Sequence, residues 1–311
     1  MPTHAIEPTR ETLHGLFSPD LPPALTIDPG DTVVFRTLDA GWGIAPPSPA
    51  TGKQDEFADA RPEWRGDGHA LCGPVAVRGA EPGMTLEIRI DDLRPGRWGW
   101  TYAGGRDSEL NRRLGVVERE EPLYWTLDSD LLVGRDQHGH TVALRPFLGV
   151  IGMPPATPGP HPTAPPRPTG GNIDCKELVV GSSLFLPIAV PGGLLSVGDG
   201  HAAQGDGEVC GTAIECPMER AALTFLLHPD LDLALPRART PAGWLTFGFD
   251  PDLNEAMVAA LGAMLDLLGE LLGVDRHRAL ALASIAVDLR ITQVANGVWG
   301  VHAVLPHGAV R

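Results

Sequence analysis

The stretch LTIDPGDTVVFRTLDA, residues 25–40, decides the fold class. β-Branched and apolar residues stand on both sides of Asp28-Pro29-Gly30-Asp31, a composition that predicts two short strands around a turn. The scheme returns in AVRGAEPGMTLEIRIDDL, residues 76–93, with Glu81-Pro82-Gly83 as its turn. Both segments predict hairpins of a sandwich or barrel. Farther along, MPPATPGPHPTAPPRPTGG, residues 153–171, is too rich in proline for helix or sheet interior and predicts an extended loop, either a linker or a pocket wall.

Helices come late. Asp252 with Glu255 fits a capping box, AMVAALGAMLDLLGELL (256–272) repeats its apolar residues at helical spacing, and Gly273 suits the C-terminal cap. Asp275 opens a second helix, RHRALALASIAVD, and ITQVANGVWGVHAVLP (291–306) alternates about Asn296-Gly297, a favoured hairpin turn. The predicted fold is α+β: a β-rich, sandwich-like core with a C-terminal helix pair and a final β-hairpin. We read one domain, 1–311, with a β-rich part over 1–150 and the site and helices over 151–311.

The chain has 39 acidic against 24 basic residues, a formal net charge of −15, which disfavours a phosphate-backbone ligand and so excludes nucleic acid as the expected partner. Its N-terminal MPTHAIEPTRETLHG carries charges where a secretory leader needs an apolar core, and no run reaches membrane-spanning length. A soluble, cytoplasmic protein without a membrane partner is expected. Cys72, Cys175, Cys210 and Cys216 form no CxxC pair, so reduced thiols are expected. The glycines at 205, 207 and 211 lack the strand–turn–helix setting of a nucleotide-binding loop.

Chemistry concentrates in GDGHAAQGDGEVCGTAIE, residues 198–215, where Asp199, His201, Asp206, Glu208 and Glu215 stand among glycines. Carboxylates and imidazole are ligands for divalent ions, and glycine lets backbone approach an ion or small substrate. Such segments are also common as plain surface turns. The apolar LFLPIAVPGGLLSV upstream argues for a site instead. Asp199 and His201, two residues apart on an extended segment, point to one face. Asp174 in GGNID is a third carboxylate with apolar neighbours, costly to bury without a cation or partner. Asp174, Asp199 and His201 are therefore read as a metal core, with Glu208 as a further ligand or the general base. Asp206 reads as a turn residue. Glu215 is a further ligand or the partner of Lys176 or Arg220, and Lys176 either stabilises an oxyanion or neutralises surplus carboxylate.

Four segments taken together, residues 23–40, 73–90, 170–215 and 286–306, resemble the acetamidase/formamidase family of small-amide hydrolases. Met84 and RWGWTY (97–102) depart from the pattern and bear on substrate choice rather than reaction class. The resemblance implies hydrolysis of short linear amides to carboxylate and ammonia, and adds Asp39 to the metal site and His69 as proton donor or substrate contact. Zn²⁺ is the first choice of ion, because a zinc-bound water has a pKa of about 7. Ca²⁺ suits an adjacent oxygen-rich site. A homo-oligomer is expected from β edges and apolar helices. Two alternatives stay open: a thiol amidase using Cys210, with Glu208 as base and Lys176 supporting the oxyanion, and a non-catalytic protein that binds a divalent ion or small amide.

Overall fold

The computed structural model describes residues 2–59 and 62–310. A nine-stranded sheet runs in the order Thr3–Ile6, Thr32–Phe35, Met218–His228, Thr85–Pro95, Ser183–Pro187, Arg237–Arg239, Gly243–Asp250, Trp299–Pro306 and Asp288–Gln293. A six-stranded sheet orders Gly170–Asn172, Phe147–Gly152, Leu195–His201, Leu71–Val77 and Leu13–His14, with Leu25–Ile27 also on Leu71–Val77. One apolar core joins them: Val33, Phe35, Ile88 and Phe225 from the first sheet pack with Cys72, Val75, Leu148 and Val197 from the second. Each large apolar side chain so buried contributes about 1.5–3 kcal/mol. The result is the α+β, strand-dominated sandwich that the sequence predicts, 39 % strand and 13 % helix.

The two Pro-Gly turns do not close hairpins. Asp31 N–H donates to the Asp28 carbonyl at 3.1 Å and Met84 N–H to that of Glu81 at 3.2 Å. With proline second, and Gly30 at φ 96° and Gly83 at φ 90° third, these are type II turns. Such turns splay their flanking strands, unlike the primed turns of hairpins. Leu25–Ile27 accordingly lies in the six-stranded sheet and Thr32–Phe35 in the nine-stranded one; Leu71–Val77 and Thr85–Pro95 divide the same way. Each Pro-Gly is a corner where the chain crosses between layers. The nine-stranded sheet takes strands from residues 3–6 and from 299–306, and so draws on both sides of residue 150.

The C-terminal part follows its sequence signals. Helix Leu253–Leu272 starts at Asp252, whose carboxylate accepts the Asn254 N–H, and ends at Gly273 with φ 66°. Helix Arg276–Ala286 starts at Asp275, which accepts from Arg278 N–H. Their apolar faces pack on Val301, Ala303 and Leu305. Among the described residues no single helix is long and apolar enough to cross a membrane. The closing hairpin, Asp288–Gln293 with Trp299–Pro306, also braces a loop: Gly207 N–H donates to the Thr292 carbonyl, and Val294 N–H to that of Gly207. This fixes the segment that carries Glu208.

Candidate active site

Five buried groups meet where the six-stranded sheet presents Leu195–His201. Asp199 and His201 lie on that strand, with His201 Nε2 3.3 Å from Asp199 Oδ1. Glu215 arrives on a segment bridged to the strand at His201, placing its Oε2 3.1 Å from the same nitrogen. Asp174 follows strand Gly170–Asn172 and brings Oδ1 to 3.9 Å from His201 Nδ1. Ligand atoms of Asp199, His201 and Glu215 lie within 4.8 Å of one another, as do those of Asp174, His201 and Glu208. None of the five residues is more than 6 % exposed.

The backbone is bent to make this arrangement. Asp174, Asp199 and Glu208 have φ of 53°, 56° and 44°, a left-handed conformation that costs a non-glycine residue of order 1 kcal/mol. Gly149, on the neighbouring strand, keeps the space open. A Cβ there would collide with carboxylate oxygens of Asp174 and Asp199 and with the His201 ring.

Polar atoms are left without partners in this interior. Asp174 Oδ1 and Glu208 Oε2 are buried and make no hydrogen bond, and His201 Nε2 and Glu215 Oε2, although 3.1 Å apart, lack hydrogen-bond geometry. An unpaired buried polar group costs about 1–3 kcal/mol, more when charged. Their outer atoms, by contrast, are anchored. Asn296 Nδ2 donates to Asp174 Oδ2 at 2.7 Å, and Ala213 N–H donates to Glu215 Oε1 at 2.7 Å. His201 Nδ1–H meets Gln204 Oε1 at 3.0 Å, leaving Nε2 to face a ligand. These donor atoms fit a divalent cation: mixed carboxylate and imidazole, unpaired, and in a space held clear by glycine.

Electrostatics agrees. Burial pushes the Asp174 carboxyl up to about 6, reinforced by the Asp199 charge. Burial pushes Glu215 up to about 7 against the opposing His201 charge, and drives Glu208 well above the usual carboxylate range, with Asp174 adding to the effect. Asp199 behaves differently: burial opposes its charge, but His201 and His69 together outweigh that and hold it below the usual range. Burial likewise acts against charge on His201, yet the Glu215 and Asp199 carboxylates raise it well above an ordinary histidine. Carboxylates crowded together must share protons or a cation.

Other residues singled out in the sequence take different places. Asp39 is fully buried, and its oxygens accept from Trp100 Nε1–H at 2.6 Å, Gln54 Nε2–H at 2.9 Å and Gly43 N–H at 2.6 Å. It belongs to neither of these ligand groups and anchors the Trp100 indole. His69 lines a pocket together with Asp199, Glu208 and Glu215, and bonds Thr163 Oγ1 through Nδ1 at 2.8 Å. Lys176 pairs with Asp206 at 3.1 Å, outside the pocket lining. All four cysteines are free; Cys210 bonds the Thr212 carbonyl through Sγ at 3.3 Å and opens onto a separate depression beside Val209.

Asp199, Glu208 and Glu215 line a pocket of about 810 Å³. The proline-rich connector supplies part of its wall through residues 160–164, so it is no mere linker. Sequence reasoning missed Gly149, Gln204, Asn172 and Asn296, and reached Trp100 only as part of RWGWTY, a segment bearing on substrate choice. Asn172 lines the pocket with a buried, unpartnered Oδ1. Asn296 had a signal only as a turn residue, and its contact with Asp174 spans 122 residues.

A model of the Acetamidase/Formamidase family matches residues 2–161 and 159–225. The chain belongs to that family. It is 31 % identical over 262 residues to a protein of Schizosaccharomyces pombe assigned as a formamidase, covering 65 % of this chain and 61 % of that one. An acetamidase of Mycolicibacterium smegmatis is 29 % identical over 264 residues, covering 65 % and 63 %. The chain thus spans about three fifths of the curated relatives it matches. The crystal structure of an acetamidase from Bacillus halodurans superposes with a TM-score of 0.83 at 26 % identity, covering 97 % of both chains.

Proposed function

We propose that this protein is a divalent-metal-dependent amidase that hydrolyses short linear amides of the formamide and acetamide type to carboxylate and ammonia. The observation that carries the reading is the set of unpaired buried donors on Asp174, His201, Glu208 and Glu215 beside a pocket. Family membership supports the reaction class. Asp174, Asp199, His201 and Glu215 would hold the ion, Zn²⁺ first for its mixed ligands, with Ca²⁺ the choice for an adjacent oxygen-rich site. Bound there, a divalent ion supplies a Lewis acid that polarises the carbonyl and acidifies a water.

The chain's own groups do the rest. Water adds to the amide carbon, the carbon–nitrogen bond breaks, and nitrogen leaves as ammonia after gaining a proton. Glu208, its carboxyl held well above the usual range by burial, is the proton carrier: it accepts from the attacking water and delivers to the leaving nitrogen. Asn172 Oδ1 accepts from the substrate's amide N–H and orients it. His69, at the pocket wall, contacts substrate. We assign Lys176 to charge balance with Asp206. We further infer a cytoplasmic homo-oligomer, supported by Leu280, Ile285, Leu289 and Ile291, exposed together along the last helix and the edge strand.

The test is ammonia release from formamide and acetamide before chelation, after it, and after adding back Zn²⁺ or Ca²⁺, with bound metal measured in parallel. Chelation abolishes activity and one ion restores it; Asp199→Ala and His201→Ala lose both metal and turnover. Activity indifferent to chelator would transfer the reaction to Cys210. Metal bound without turnover of either amide would mark a binding protein.

A further inference from the structure

The pocket is oversized for the simplest amides. At the roughly 30 Å³ that a water-sized group takes in a liquid, the four heavy atoms of acetamide fill on the order of 100 Å³. The space measures about 810 Å³, within the roughly 300–1,000 Å³ of clefts that enclose ligands of many more atoms.

One part of its wall is apolar. Trp100 and Trp42 both line it, and both have spent their only donor: Trp100 Nε1–H on buried Asp39 and Trp42 Nε1–H on the Gly68 carbonyl at 2.9 Å. The Trp100 ring also packs on Tyr102 with centroids 4.8 Å apart, and Arg65 covers Trp42 at 4.4 Å. Trp42 is 5 % exposed and backs the wall from the core, while the half-buried Trp100, pinned by Asp39, offers flat apolar surface at little entropic cost. Leu16 and Pro162 extend that surface.

Trp100 is also registered to the carboxylates. Its backbone N–H donates to the Glu215 carbonyl at 3.0 Å and its own carbonyl accepts from the Glu215 backbone N–H at 2.9 Å, so the ring wall and a pocket-lining carboxylate are direct cross-strand neighbours.

Resting on the amidase reading above, we propose that the preferred substrates are primary amides with an aryl group close to the carbonyl, of the phenylacetamide type, and that Trp100 determines this specificity. Asp39 is its positioning residue. Burying a phenyl ring against the fixed Trp100 indole, with Leu16 and Pro162 beside it, adds binding that acetamide cannot make.

The experiment compares kcat/KM for phenylacetamide, acetamide and formamide with the metal-loaded protein, alongside Trp100→Ala and Trp100→Phe. Expected is a preference for phenylacetamide over acetamide of at least tenfold. Trp100→Ala collapses that ratio at least tenfold, chiefly through KM, and Trp100→Phe restores most of it. Equal or better use of acetamide, or a ratio unmoved by Trp100→Ala, overturns the proposal while leaving the amidase reading intact. Ammonia from none of the three amides overturns the amidase reading instead. Phenylacetamide binding, followed by tryptophan fluorescence, then decides the pocket: tighter binding than acetamide upholds the aryl site, and no difference removes it.

Discussion

Asp174 and Glu177 stand three residues apart and are both buried, yet they are treated in opposite ways. Glu177 has each oxygen met by an arginine, Arg145 Nη2 at 2.5 Å and Arg290 Nη1 at 3.0 Å. Asp174 has one oxygen held by Asn296 and the other unpaired. The contrast repeats downstream, where Asp206 meets Lys176 and Glu208, two residues on, keeps a buried oxygen without a partner. Charge is neutralised in one cluster and left open in its neighbour. Because a buried carboxylate without a partner costs more than one whose desolvation is offset by a counter-charge, the open cluster is where a ligand is demanded.

The largest effect should separate the clusters by function. Glu208→Gln keeps the shape but cannot carry the proton, so turnover falls about 10²–10⁴-fold. Stability of the metal-free protein stays level or rises, since a like-charge neighbour of Asp174 is gone. Ammonia release and thermal unfolding on one preparation measure both. A loss of stability with activity retained would place Glu208 among the structural carboxylates.

Glu177→Gln should do the reverse. It leaves two arginines without a counter-charge, but at 48 % and 39 % side-chain exposure both are partly screened by water. The cost is then about 1–2 kcal/mol, below the range for fully buried pairs. Thermal unfolding drops by a few degrees while kcat stays within about threefold. A collapse of kcat at unchanged stability would bring Glu177 into the reaction and dissolve the comparison.

That division was only partly visible in the sequence. The glycine-rich run from 198 to 215 announced Asp199, His201 and Glu208, because so many ligand types in so few residues are rarely idle. Which carboxylates are neutralised was hidden, because the partners are remote: Arg290 lies 113 residues from Glu177 and Asn296 lies 122 from Asp174. Those contacts depend on sheet order. Sheet order departs from what the sequence predicts, since Asp28–Asp31 and Glu81–Met84 have hairpin signals yet are corners between layers. The helix pair was legible to its caps, since those signals lie within a few residues of the backbone they satisfy.

The smallest effect tests the same contrast through pH. His14 is a buried group fully paired in its neutral form, with Nδ1–H donating to the Leu16 carbonyl at 2.7 Å and Nε2 accepting from Ser196 Oγ–H at 2.9 Å. Burial lowers its pKa to about 4, against a backbone bond that favours the proton. Between the ordinary histidine value of about 6.5 and about 4 the unfolded chain binds a proton that the folded chain refuses, so stability falls as pH falls. From pH 7 to 5.5 that amounts to about 1 kcal/mol. The burial-raised carboxyls of the open cluster have the opposite sign. Carboxyls raised by burial, Glu208 and Glu215, bind protons in the folded state first and add stability as pH falls through their folded values. Denaturant unfolding of wild type and His14→Gln across this window isolates the histidine: the variant should lose less stability on acidification. Equal slopes would mean that His14 titrates alike in both states. The paired and unpaired interiors would then differ in geometry but not in their response to protons.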